Sequence, residues 1–184
     1  MKYAKTLLLP LLATVSILVG CSSTPEKFIF SPNYTQPAMD FSQSISLTVN
    51  DARPSFTTVT IKEHNGTRAI ANTELAPTLT RVFNHAFKSN TSDLPSKSVT
   101  VNISQLQTVI NQQLHKHTVQ SNIALDVIVQ SEQHQFSKRY TGNQQSEGPL
   151  GYDKANIEQQ VNRLLEDMIY RIGNDAEFIN ALNR

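Results

Sequence analysis

Polar and apolar residues alternate from Ser44 to Asn50, where Ile45, Leu47 and Val49 are each followed by a polar residue. A period of two puts the three apolar side chains on one face, so the pattern predicts a half-buried strand. "NDARP" ends it, because Pro54 disfavours helix at Arg53 and turns the chain. A second strand is predicted over about Phe56–Lys62, with Val59 and Ile61 in step. "HNG" at 64–66 is a hairpin signal, Asn-Gly being suited to positive φ at both turn positions. A short return strand runs through Ala69–Ile70. The period then changes: Leu75, Leu79, Val82, Phe83, Ala86 and Phe87 recur at helical spacing. Asn72 or Thr73 can cap this helix, and Pro77 is tolerable only in its first turn. "KSNTSDLPSKS" closes it with loop chemistry.

Downstream, Val99, Val101 and Ile103 alternate, and the phase then shifts to Leu106 and Ile110, which predicts a bulge or bend near Ser104–Gln105. A polar turn around Gln112–His115 leads to a strand with Val119, Ile123, Leu125, Val127 and Val129 on one face. Gln120, Asn122 and Asp126 fall on the other, so the sheet is expected to be covered on one side only. Gln130–Gln133 reads as a tight turn, His134–Tyr140 as a last strand, and "GNQQSEGPLG" as a flexible link. The longest apolar stripe follows, from about Asp153 to Ile172, with Asp153 as cap and Gly173 closing the C-terminus. "NDAEFINALNR" predicts a short last helix with Phe178, Ile179 and Leu182 inward. Near the start, "FIFSPNYTQPAMDF" reads as extended, with an edge strand beginning at Phe28, since Pro32 and Pro37 are confined to edges. The elements add up to an α+β two-layer sandwich: a mostly antiparallel sheet, two main helices on one face, and a short C-terminal helix.

The first residues follow a different logic. Lys2 and Lys5 precede an apolar run, Thr6–Val19, that is shorter than the ~20 residues a membrane span needs. A basic start, a short apolar stretch and small Gly20 make a secretory signal. Leu18-Val19-Gly20-Cys21 resembles the lipobox of bacterial lipoproteins. That resemblance implies cleavage between Gly20 and Cys21, with S-diacylglycerol and N-acyl groups on Cys21. One acyl chain anchors only marginally, whereas several on one residue hold a soluble domain firmly. Cys21 is the chain's single cysteine, so no disulfide can form within the chain. Ser22 and Ser23 follow it without the Asp that favours inner-membrane retention in enterobacterial-type lipoproteins, which implies an outer-membrane anchor facing the periplasm. The expected organisation is signal peptide 1–20, acylated tether 21–27, and one periplasmic domain, 28–184. The 184-residue chain less its first 20 leaves 164, enough for one core. Basic residues fall from 16 to 14 with Lys2 and Lys5, against 15 acids, so nucleic acid is not an expected partner.

The lipobox, "ISLTVNDARP", "LAPTLTRVF", "VTVNISQLQ" and "NIEQQVNRLLEDMI…NDAEFINALN" together resemble the YajG family of proteobacterial lipoproteins, over nearly the whole chain. The family has no established activity and no catalytic residues to carry over. Some members are encoded beside a muropeptide permease, which hints at cell-envelope maintenance. The residues themselves carry no GxSxG elbow, HExxH pair, GxGxxG or phosphate loop. His115 and His117 have the spacing of two ligands on a strand face, but they flank the predicted turn, and a solvated hairpin tip is the simpler reading. No catalytic residue, cofactor or metal is therefore expected. Asp51 and Arg53 are weak interaction candidates, with turn chemistry and a surface ion pair as the plainer alternative. The expected function is a non-enzymatic binding or accessory protein of the envelope, with membrane lipid as partner through Cys21 and an envelope protein, peptidoglycan or lipid as a further one. The alternatives are an accessory subunit of a lipid or lipopolysaccharide transport machine and a periplasmic cell-wall hydrolase.

Overall fold

A computed structural model describes residues 26–41, 44–89 and 97–183. Its frame is a long hairpin. β6 (Lys97–Gln112) and β7 (Lys116–Gln130) pair antiparallel, and β7 pairs antiparallel with β8 (Gln135–Pro149) along its full length. The register shifts between Ile103 and Gln105, so the change of phase in the sequence is a bulge. It keeps Ile103 on the core side before the bulge and Leu106 and Ile110 on the core side after it.

The other edge of β6 is shared by two strands in succession. β2 (Ile45–Asp51) lies parallel to residues 97–103 of β6, and β3 (Thr57–Glu63) lies parallel to residues 108–111. Between them, residues 52–56 leave the ladder opposite the β6 bulge. β4 (Gly66–Ala71) extends the sheet beyond β3. Only His64 and Asn65 separate these two strands, and Gly66, at φ +156°, takes the unusual backbone angle. The turn thus differs from the expected Asn-Gly geometry: glycine is used one step later, where the chain re-enters the sheet.

All three helices contribute to one core. α1 (Leu75–Ala86) packs on β2, while α2 (Lys154–Gly173) and α3 (Ala176–Asn183) pack on β7 and β8. The side chains of Ile157, Val161, Leu165, Met168, Ile169 and Ile172 are all buried. The Asp153 side chain accepts from Ala155 N at 2.9 Å and caps α2 as expected. Before α1, Asn72 Oδ1 accepts from Glu74 N at 2.9 Å, so Asn72 organises the entry although Glu74 is the cap residue. Lys97 is buried and donates to the carbonyls of Leu182 (2.5 Å) and Ala181 (3.4 Å), satisfying orphan acceptors at the end of α3. Phe41, Phe83, Phe87 and Phe178 form an aromatic cluster with centroid separations of 5.4–6.2 Å. It joins β1 (Met39–Phe41), its parallel partner β5 (Phe87–Ser89), and helices α1 and α3.

Three local expectations change. The segment after Tyr140 is strand, not link: β8 runs on to Pro149. Gly142 there lies under α2, and a Cβ would stand 2.9 Å from Met168 Sδ, so glycine permits the helix to approach. Phe28 begins no strand. Phe28, Phe30, Pro32 and Tyr34 are alternately buried, but Ile29 N and Asn33 N donate to Glu158 (2.7 Å) and Glu166 (2.8 Å) of α2. The period of two is real, and the partner is a helix rather than a sheet edge. Gly173 is the last residue of α2 and its role is space, not a positive φ: a Cβ would overlap Met39 and stand 3.0 Å from the Phe87 ring.

Candidate functional site

The excursion between β2 and β3 is built around Arg53. Its side chain is 2% exposed. Nε donates to Asp51 Oδ1 at 2.8 Å and Nη2 to Asp51 Oδ2 at 2.7 Å, a bidentate pair. Nη1 donates to Thr58 Oγ1 at 2.9 Å, and Nη2 also reaches the Asn72 carbonyl at 2.8 Å. One side chain thus ties the end of β2, the start of β3 and the entry to α1. The two sequence candidates are brought together, but they face each other instead of an open surface. Arg53 also lines a cleft of about 320 Å³ with Pro54, Ser55 and Gln105 among its walls. A ligand anion there would compete with four bonds already made.

The Arg53 hydrogen bond holds the Asp51 carboxyl below its usual pKa, against the opposing effect of burial. A carboxyl lowered in the folded state contributes stability that is present above the unfolded value, near 3.8, and lost as pH falls through the folded value. The Arg139 hydrogen bond lowers Asp126 similarly; at Asp175 burial opposes the change, but Lys138 and neighbouring donors prevail. Urea unfolding followed from pH 5 to pH 3, a range spanning the ordinary Asp value of about 3.9, should show falling stability. Asp51→Asn should start lower and fall less steeply; a slope identical to wild type would contradict the assignment.

The solvent side of the sheet carries a polar row across four strands. Asn50 Nδ2 donates to Asn102 Oδ1 at 3.1 Å, Asn102 is in register with Asp126, and Arg139 donates twice to Asp126 at 2.6 and 2.9 Å. Asn50 and Arg139, at the two ends of the row, are exposed. His115 sits in the β6–β7 turn, whereas the His117 ring lies against Gly148 with Nδ1 3.2 Å from the Leu150 carbonyl. The two imidazoles therefore do not share a strand face. Among the described residues, no group of three or more His, Cys, Asp and Glu is arranged to hold a metal ion.

Gly20 and Cys21 lie outside the described residues. The chain is already engaged at Glu26, whose carboxylate accepts from Arg68 Nη1 at 2.9 Å and from the Tyr152 hydroxyl at 3.0 Å. Arg68 also donates to Glu63 at 3.0 Å. This clamp joins residues 42 and 126 positions apart, so no local pattern could have revealed it. No described helix is long and apolar enough to cross a membrane.

No curated protein matches the sequence. The crystal structure of protein XCC0632 from Xanthomonas campestris, of family DUF330, is similar at 11% identity with a TM-score of 0.49, covering 85% of this chain and 95% of that one. The crystal structure of an uncharacterised protein is similar at 13% identity with a TM-score of 0.36, covering 74% and 97%. The family model for an uncharacterised lipoprotein matches residues 32–183, and the chain belongs to that lipoprotein family.

Proposed function

We propose that this protein is a YajG-type lipoprotein, held in the outer membrane by acyl groups on Cys21 and facing the periplasm, that serves cell-envelope maintenance as a non-enzymatic binding or accessory protein. The observation that carries the reading is the lipobox Leu18–Cys21 at the head of a chain belonging to a lipoprotein family. The polar row from Asn50 through Asn102 and Asp126 to Arg139 supports binding over catalysis, because its two ends are exposed to solvent. Metabolic labelling with a clickable palmitate should mark wild-type protein and not Cys21→Ser, and fractionation should place the labelled protein with the outer membrane. Equal labelling of both forms would overturn the acylation, and an inner-membrane wild type would overturn the sorting. In the same cells, a photo-crosslinker at Asn102 should capture a defined envelope component; an adduct-free face would count against a binding role there.

A further inference from the structure

Two leucines stand exposed at one end of the sheet, among the polar turn residues Gln113, His115 and Lys116. Leu114, in the turn between β6 and β7, is 85% exposed, and Leu150, just past β8, is 66% exposed. They are neighbours: Leu150 N donates to the His115 carbonyl at 2.9 Å, and Gln112 Nε2 donates to the Leu150 carbonyl at 3.0 Å. These bonds fix Leu150 at φ +57°, the left-handed region that a leucine rarely adopts. Glycine or asparagine would occupy that backbone more easily. A strained leucine pinned in solvent points to a use for its side chain.

The position of Glu26 says what covers it. Glu26 is bound by Tyr152, two residues beyond Leu150, and by Arg68, which also donates to Tyr152 and to Glu63 at the border of the adjoining β3–β4 turn. The described chain therefore begins at this same end. Five peptide links separate Cys21 from Glu26 and span at most about 18 Å. An acyl anchor on Cys21 would keep this end within about 18 Å of the bilayer. Lys62 lines one cleft with Leu114 and Glu63, and Lys116 is in register with Pro149 beside Leu150; cationic side chains of this kind suit the level of lipid headgroups, and Asp153 lies three residues beyond Leu150. Glu147, in register with Thr118, stands further up β8.

We propose that Leu114 and Leu150 enter the interfacial layer of the phospholipid bilayer that carries the anchor, a second lipid contact that sets the domain upright with the β6–β7 turn down. This rests on the acylation of Cys21 proposed above. The chain has no tryptophan, so Leu114→Trp introduces a single reporter suited to a membrane interface. The acylated full-length protein, its acylation verified by mass spectrometry, would be reconstituted in phosphatidylethanolamine–phosphatidylglycerol vesicles. Its emission should shift to the blue on reconstitution and be quenched by bromine-labelled acyl chains. Phe56→Trp is the comparison. Phe56 is half exposed and precedes β3, roughly 20 Å of strand away from the turn at His64. It should be neither shifted nor quenched. An acylated, vesicle-bound protein with Leu114→Trp unquenched would overturn the insertion while leaving the anchor intact. Equal quenching at both positions would overturn the upright orientation. Full-length protein that mass spectrometry finds to carry no acyl group on Cys21 would instead refute the anchor.

Discussion

Leu165→Ala should lower the unfolding free energy by about 2–5 kcal/mol, the range for emptying a buried leucine site whose surroundings relax only partly. Leu165 is fully buried in the stripe of α2 that packs on β7 and β8. Its neighbours in the stripe, Val161 and Ile169, are equally buried, so few side chains are free to collapse into the space. The matched comparison is Asp126→Ala. Asp126 sits on the opposite face of the sheet, and its partner Arg139 is 62% exposed. A solvent-exposed pair contributes about 0–1 kcal/mol. Both changes, made in protein lacking residues 1–21 and followed by circular dichroism in urea, should therefore separate clearly. A small effect at Leu165 beside a large one at Asp126 would mean that the polar face is the structural one.

What could be read from the sequence depended on whether the signal was local. The bulge was legible because a two-residue period cannot change phase without an extra residue, and Val99–Ile103 against Leu106–Ile110 shows that change. α2 was legible because its stripe is apolar through five turns. The second half of β8 was not. After Tyr140 it alternates glycine, asparagine, glutamine and serine, and its strand form comes from continuous pairing with β7, which no composition reports. The strap from Phe28 to Tyr34 shows the converse: its period was read correctly, while the layer it covers was not, because carboxylates of α2 replace a neighbouring strand. At the candidate sites the division is similar. The proposed lipobox is four consecutive residues, which lie outside the described ones. Asp51 and Arg53 were visible as a pair, but Thr58 and the Asn72 carbonyl, which decide whether Arg53 faces inward, lie 5 and 19 residues away. The glycines misled twice, since Gly142 and Gly173 supply room for Met168 and Met39 rather than a turn.

Arg53→Met should cost about 3–5 kcal/mol, the usual penalty for removing one partner of a buried ion pair. Three acceptors lose the guanidinium together: the Asp51 carboxylate, 11% exposed, which keeps only the Arg53 backbone N–H, the Thr58 hydroxyl and the Asn72 carbonyl. Much of the cost is the carboxylate left without a counter-charge. Adding Asp51→Asn to Arg53→Met should therefore recover part of it, giving a coupling between the two sites of about 1–3 kcal/mol. Arg53→Lys separates charge from geometry. It restores the positive charge, but a single ammonium cannot present the planar fork that engages both Asp51 oxygens, so it should fall between wild type and Arg53→Met. Because the side chain joins β2, β3 and the entry to α1, hydrogen exchange should quicken in all three elements in Arg53→Met. A loss below about 1 kcal/mol, typical of surface changes, with exchange unchanged, would remove the structural role. It would return Arg53 and its cleft to the position of a recognition site.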